Sequence, residues 1–255
     1  MKHIKGKRIL LTRTAEQNQS TAQWLTSLGA IPVLFPCIHI EHLTANIQHA
    51  WSDIQAHPKH TDIIFSSRNG VQAVALSLNN LKEKLHGFRI VAVGRKTAAL
   101  LITYGCPPAF LPDEASQQGL VAAYQHHGLP QHAYFFRAEE GSSILLDALA
   151  QQGVNTTLIP TYRASCPHDD ATPIMTYIQN QHVDAVLLGS AKTAACFAQR
   201  MADLKLTHTP IIAVMSPQVE KAADKVGLKV QVIAIKPSFR AMLQGLDDYF
   251  ATQDK

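Results

Sequence analysis

The chain has 255 residues, of which 46% are hydrophobic and 16% charged, with 13 Gly and 13 Pro. That length favours two domains over one or three, and that composition excludes a disordered, collagenous or coiled-coil chain. The 23 Lys and Arg exceed the 19 Asp and Glu by 23 − 19 = 4, an excess that suits an anionic small molecule and is too small to announce nucleic acid as a partner.

In chain order, the basic start to Arg8 is followed by only Ile9-Leu10-Leu11 before Thr12-Arg13, which predicts a strand over 8–12 and no signal peptide. The next expected elements are a helix over 15–28, strands over 31–35 and 62–66, a helix over 70–78, a strand over 89–93 and helices over 96–104 and 117–126. The remainder predicts strands over 133–137, 156–160, 184–188, 210–214 and 229–234, with helices over 142–151, 193–202, 219–226 and 239–250. Most of the strands are unbroken apolar runs, the pattern of parallel strands buried on both faces, so the expected class is α/β with helices covering both faces of a parallel sheet. No apolar run reaches the roughly 18 residues of a membrane span, which predicts a cytoplasmic chain with no membrane partner. Cys37, Cys106, Cys166 and Cys196 form no C-x-x-C pair and the histidines show no ligand spacing, so neither a disulfide nor a structural metal is expected.

An internal repeat emerges from spacings rather than identities. Arg13, Gly29 and Pro36 recur as Arg137, Gly153 and Pro160, each displaced by 124, and Gly94, Gly105 and Ser116 recur as Ser216, Gly227 and Ser238, each displaced by 122. A third pair sets Ser66-Ser67 against Gly189-Ser190, again with a hydroxyl between strand and helix. Ligands of open α/β sheets bind beyond the carboxyl ends of the strands, where such turns present unpaired N–H groups and positive helix ends. In Gly94-Arg95-Lys96-Thr97 the Gly permits close approach, Arg95 and Lys96 add charge and Thr97 adds a hydroxyl. Each turn also has a purely structural reading, Gly for its backbone freedom and Ser as an N-cap; their recurrence in both halves points to a ligand bearing many anionic groups.

The chain has neither a complete G-x-G-x-x-G nor a P-loop, since Gly94-Arg95-Lys96-Thr97 ends like one but Arg89, not Gly, stands five residues before Gly94, and it has no G-x-S-x-G. Asp169 and Asp170 are read as a solvated helix start and His57, His60, His126 and His127 as surface residues. Tyr162 breaks the repeat, because the residue displaced from it by 124 is Ile38. It packs at a hinge, or it faces a cleft and donates a proton to a leaving group, a phenol being protonated at neutral pH.

Taken in order, Leu10-Leu11-Thr12-Arg13, Ile64-Phe65-Ser66-Ser67-Arg68-Asn69-Gly70-Val71, Val91-Ala92-Val93-Gly94-Arg95-Lys96-Thr97-Ala98, Ser116 with Gly119-Leu120, Pro160-Thr161-Tyr162-Arg163 and Ala213-Val214-Met215-Ser216-Pro217 give the chain a resemblance to the uroporphyrinogen-III synthase family over essentially its whole length. The resemblance implies two flavodoxin-like parallel-sheet domains linked by a two-stranded ladder, one from 1–37 and 167–255, the other 40–160, with 38–39 and 161–166 as linkers. It implies a cyclising hydro-lyase that converts hydroxymethylbilane to uroporphyrinogen III with inversion of ring D in haem biosynthesis, without cofactor or metal. Tyr162 falls on the proposed acid. Arg13, Ser66, Ser67, Asn69, Gly94, Lys96, Thr97, Ser116, Arg137, Ser190 and Ser216 fall on substrate-binding positions, with Arg13 and Arg137 open between substrate contact and turn stabilisation. A monomer receiving its substrate from hydroxymethylbilane synthase is also implied. Ser216-Pro217-Gln218-Val219 and Gly189-Ser190 depart from the family's usual Gly-Pro-x-Thr and Thr-Ser. These departures leave two other readings open: a non-catalytic homologue that binds a tetrapyrrole or other polyanion, and an unrelated two-domain protein closing on a small anion.

Overall fold

The strands β1 (Arg8–Leu11), β2 (Ile31–Leu34), β8 (Ala185–Leu188), β9 (Ile211–Val214) and β10 (Val232–Ile233) form one sheet in the order β10-β9-β8-β1-β2. A second sheet has the order β3-β7-β6-β4-β5, from β3 (His39–His42), β4 (Thr61–Phe65), β5 (Arg89–Ala92), β6 (His132–Ala138) and β7 (Asn155–Ser165). The structure, a computed structural model, describes residues 1–180, 183–202 and 209–253. Two compact units result, one from Met1–His39 with Ala164–Lys255 and the other from Ile40–Arg163.

The first unit carries the helices α1 (Ala15–Ser27), α8 (Thr172–Asn180), α9 (Ala191–Met201), α10 (Pro217–Lys225) and α11 (Phe239–Gln253). The second carries α2 (Thr44–Ala56), α3 (Arg68–Ser77), α4 (Leu81–Lys84), α5 (Arg95–Thr103), α6 (Gln117–His127) and α7 (Ile144–Gln151). Both sheets are covered on both faces, as the unbroken apolar runs require: every residue of β4 and of β8 is buried. Side chains alternate along β4, with Ile63 and Phe65 packed among Trp51, Val71 and Leu101, and Ile64 packed among Phe110, Leu120 and Leu145.

The register of the two sheets reproduces the repeat. Arg8 lies opposite Ile31 and His132 opposite Asn155, both displaced by 124. Ile9 pairs with Ala185 and Ala133 with Asp62, which relates β4 to β8 by 123. Asp62 pairs with Arg89 and Ala185 with Ile211, which relates β5 to β9 by 122. The bridge of Val91 to Phe110 matches that of Ala213 to Val232 at the same 122. Helix ends repeat too: after α1, α5, α7 and α10 a Gly at φ +78°, +72°, +82° and +78° turns the chain. In each case the following residue's N–H reaches back to the last turn, as Ala30 to Leu25 and Val154 to Leu149.

The structure departs from the sequence expectations in several places. Helix α2 buries Ile47, Trp51 and Ile54, but its N-cap is Leu43 with no capping side chain, so its start carries no signal. Helix α8 and strand β3 bury little, and strand β3 was equally silent. Strand β7 continues through the residues 161–165 read as linker. Contrary to the expectation from spacing, Cys166 and Cys196 form a disulfide with a Cα separation of 5.1 Å. The approach of the chain beyond β7 to the buried side of α9 creates it, and a 30-residue separation does not encode that approach. Asp170 accepts from the Thr172 N–H at the start of α8 as expected, whereas Asp169 pairs with Arg200 at 2.7 Å. His60, His126 and His127 are exposed and His57 is half-buried, as expected, with His57 stacked on His132 and His127 on Phe110.

Candidate functional site

Tyr162 owes its position to an irregularity between β6 and β7. Arg137 pairs with Pro160 and Ala138 with Tyr162, so Thr161 is an extra residue in the ladder. The Thr161 side chain is fully buried and its hydroxyl donates to the Arg137 carbonyl at 2.9 Å. Tyr162 stays half-buried, with its carbonyl accepting from the Glu139 N–H at 2.8 Å. Its phenol meets Ser67, the N-cap of α3: the Ser67 hydroxyl donates to the Tyr162 oxygen at 3.0 Å and accepts from the Gly70 N–H at 3.3 Å. Gly70 lets α3 sit this close, because a Cβ there would lie 3.3 Å from the Phe136 carbonyl oxygen and 3.4 Å from Thr161 Oγ1.

The other expected residues of this unit lie at the same carboxyl ends, on neighbouring strands. Ser66 is fastened to β6, its N–H donating to the Phe136 carbonyl at 3.2 Å, and Asn69 lies half-buried in the first turn of α3. Gly94 is the N-cap of α5 and so offers no side chain to the first turn. Its extended backbone, φ −149°, is open to any residue, and a Cβ would only touch Ala115, so packing within the protein does not require Gly here. Lys96 is exposed, whereas Thr97 is 4% exposed. Ser116 caps α6 by accepting from the Gly119 N–H at 2.9 Å. Arg137 is 7% exposed; its Nε has no hydrogen-bond partner among the described residues, and a Cβ on Gly141 would fall 2.1 Å from its Nη1.

In the first unit Arg13, Ser190 and Ser216 follow β1, β8 and β9, three adjacent strands. The Arg13 guanidinium lies over the Phe239 ring at 4.7 Å. Ser190 caps α9, accepting from the Thr193 N–H at 3.1 Å. Ser216 precedes Pro217 at the start of α10 and makes no side-chain cap bond. Gly189 is explained by packing, since a Cβ there would lie 3.2 Å from the Phe239 ring.

Sequence reasoning missed Thr161, Gly70 and Gly141, which shape the surroundings of Tyr162 and Arg137. The only signal for them was a Gly in the first turn of a predicted helix and another just past a strand-ending Arg. Among the described residues no group of three or more His, Cys, Asp or Glu could hold a metal, and no helix is long and apolar enough to cross a membrane.

Two parallel-dominated sheets of matched register, with helices starting at the carboxyl ends of their strands, define a duplicated α/β protein. The sequence profile of the family described as uroporphyrinogen-III synthase HemD matches residues 19–244. The uroporphyrinogen-III synthase of Synechococcus elongatus is 27% identical over 210 residues, 77% of this chain and 75% of that one. The porphyrin biosynthesis protein HemD of Ruminiclostridium josui is 25% identical over 96% of this chain, which spans about half (49%) of that relative's length. The crystal structure of the Helicobacter pylori uroporphyrinogen-III synthetase shares the fold with a TM-score of 0.64 at 15% identity, covering 98% of this chain and 100% of that one. The chain belongs to the uroporphyrinogen-III synthase HemD family, and its activity is that family's cyclising lyase reaction in haem biosynthesis.

Proposed function

We propose that Tyr162 is the general acid of this reaction and that the carboxyl ends of the strands hold the carboxylates of hydroxymethylbilane. The phenol proton passes to the oxygen of the terminal hydroxymethyl group, the C–O bond breaks with its electron pair leaving on oxygen, and water departs to leave an azafulvenium cation beside the phenolate. Attack at ring D through a spiro intermediate then inverts that ring. The substrate cyclises unaided to the type I isomer, so most of the enzyme's task is to hold one conformation. The observation that carries this reading is the half-buried phenol set by the Thr161 bulge beside the N-terminus of α3.

Arg137 supports the carboxylate role, with a buried Nε that lacks a partner among the described residues. Ser66, Asn69, Gly94, Lys96, Thr97, Ser116, Arg13, Ser190 and Ser216 complete the substrate positions in this reading, with Ser67 beside them at the Tyr162 phenol. Two domains with 38–39 and 161–166 as the connections, a monomeric cytoplasmic chain, and hand-over of the labile substrate from hydroxymethylbilane synthase belong to it as well. The non-catalytic alternative is not favoured by the family matches.

Freshly generated bilane given to the purified protein, with the isomers separated, tests the reading. Type III product is expected, with Tyr162→Phe lowering kcat by about a hundredfold, the low end of general-acid effects, and KM nearly unchanged. An unchanged kcat returns Tyr162 to a packing role.

A further inference from the structure

Family resemblance lists Ser67 among substrate contacts, yet its hydroxyl is engaged twice within the protein. It accepts from the Gly70 N–H at 3.3 Å and donates to the phenol oxygen of Tyr162 at 3.0 Å. A serine hydroxyl has one hydrogen; with that hydrogen on the phenol oxygen, the phenol's own hydrogen is directed elsewhere.

The duplication supplies an internal control. Ser190 and Ile38 occupy the places of Ser67 and Tyr162, displaced by 123 and 124. There the serine caps its helix in the same way, but its oxygen lies 2.8 Å from Thr193 Oγ1. Capping alone therefore does not call for a hydroxyl-to-phenol bond, which occurs in the copy that holds the phenol.

We infer that Ser67 is a positioning residue for Tyr162: it orients the phenol with its proton outward and steadies the phenolate left when that proton goes to the departing hydroxyl. The phenolate regains a proton from the one the substrate releases on ring closure, directly or through water, so one water leaves and Tyr162 is restored. This rests on Tyr162 acting as the acid.

The test uses the full-length protein labelled with [13Cζ]tyrosine, the Tyr162 signal being the one lost in Tyr162→Phe. In Ser67→Ala and Ser67→Gly that signal is expected to move from its wild-type position, because the phenol oxygen loses the hydroxyl that donates to it. Glycine is nearly as good an N-cap as serine, so Ser67→Gly guards against simple misfolding. Both variants are expected to lose about tenfold in kcat with KM within about twofold, Ser67→Thr to restore kcat, and Ser67→Gly to cost nothing further on a Tyr162→Phe background. An unmoved Tyr162 signal overturns the inference, as does a raised KM with equal loss on both backgrounds, which would make Ser67 a direct substrate contact. If Tyr162→Phe keeps full kcat while the Tyr162 signal still moves with Ser67, the acid assignment falls and Ser67's catalytic part falls with it, but the hydrogen bond stands.

Discussion

The carboxylate of Asp62 is 1% exposed and receives the Arg89 guanidinium through Nε at 2.7 Å and Nη2 at 2.9 Å, with the Tyr124 hydroxyl donating at 2.7 Å. Burial first, and then the nearby Asp62 charge, push the Tyr124 phenol well above its ordinary range, so it remains a donor. Removing the acid would leave a guanidinium partly buried without its partner. Asp62→Ala is expected to destabilise the second unit by about 3–5 kcal/mol, read from urea unfolding, with no direct effect on the Tyr162 chemistry. Cys37 provides a pH prediction. Burial raises its thiol from 9.0 to about 12, with Arg200 opposing and Asp169 adding to the rise. The native state therefore holds a proton that the unfolded chain releases, so stability falls as pH rises between about 9 and 12. The loss totals at most about 4 kcal/mol, at 1.36 kcal/mol per unit, and Cys37→Ala is expected to flatten that alkaline slope in unfolding measurements. Neither network was legible in the sequence, where Asp62 was only the first residue of a strand and Cys37 one of four scattered thiols.

Helices whose ends carry local signals were the ones that could be read. Thr14, Ser67, Ser116 and Ser190 each cap a predicted helix through a side chain, and Gly29, Gly105, Gly153 and Gly227 close their helices at positive φ. These glycines do not all stand in equal space. A Cβ on Gly153 meets nothing within 4 Å, whereas one on Gly29 lies 3.0 Å from Lys5 Cγ. Gly153→Ala is expected to cost about 1–2 kcal/mol from backbone strain alone, with Gly29→Ala costing at least as much, which thermal unfolding can rank. Helix α2 escaped notice because its N-cap Leu43 has no capping side chain, whereas the start of α8 was signalled by Asp170, which accepts from the Thr172 N–H. The β7 bulge escaped because an extra residue in a ladder shows only when its partner strand is known.

At the scale of the whole molecule, the first and last segments of the chain share a unit. Asp247 on α11 accepts from the backbone N–H groups of His3 at 2.7 Å and Ile4 at 3.0 Å, joining residues more than 240 positions apart. The Cys166–Cys196 disulfide closes a 30-residue loop within that same unit. Reduction is expected to remove about 3–4 kcal/mol by loop-closure entropy from the first unit and to leave the second untouched. Unfolding with and without dithiothreitol would show this as a shift in one transition.

The α/β class, the duplication and the set of strand-end turns were determined by the sequence alone, because apolar runs, caps and closing glycines act over a few residues and recur at fixed spacing. The observed strand registers of the two sheets correspond at displacements of 124, 123 and 122, in keeping with that duplication. Tertiary structure decided the disulfide, the Asp62 network, the burial of Thr97 and Arg137, and the meeting of Ser67 with Tyr162. Each of these joins residues between 24 and 95 positions apart or turns a side chain inward, and such approaches are fixed by how helices pack on the sheets.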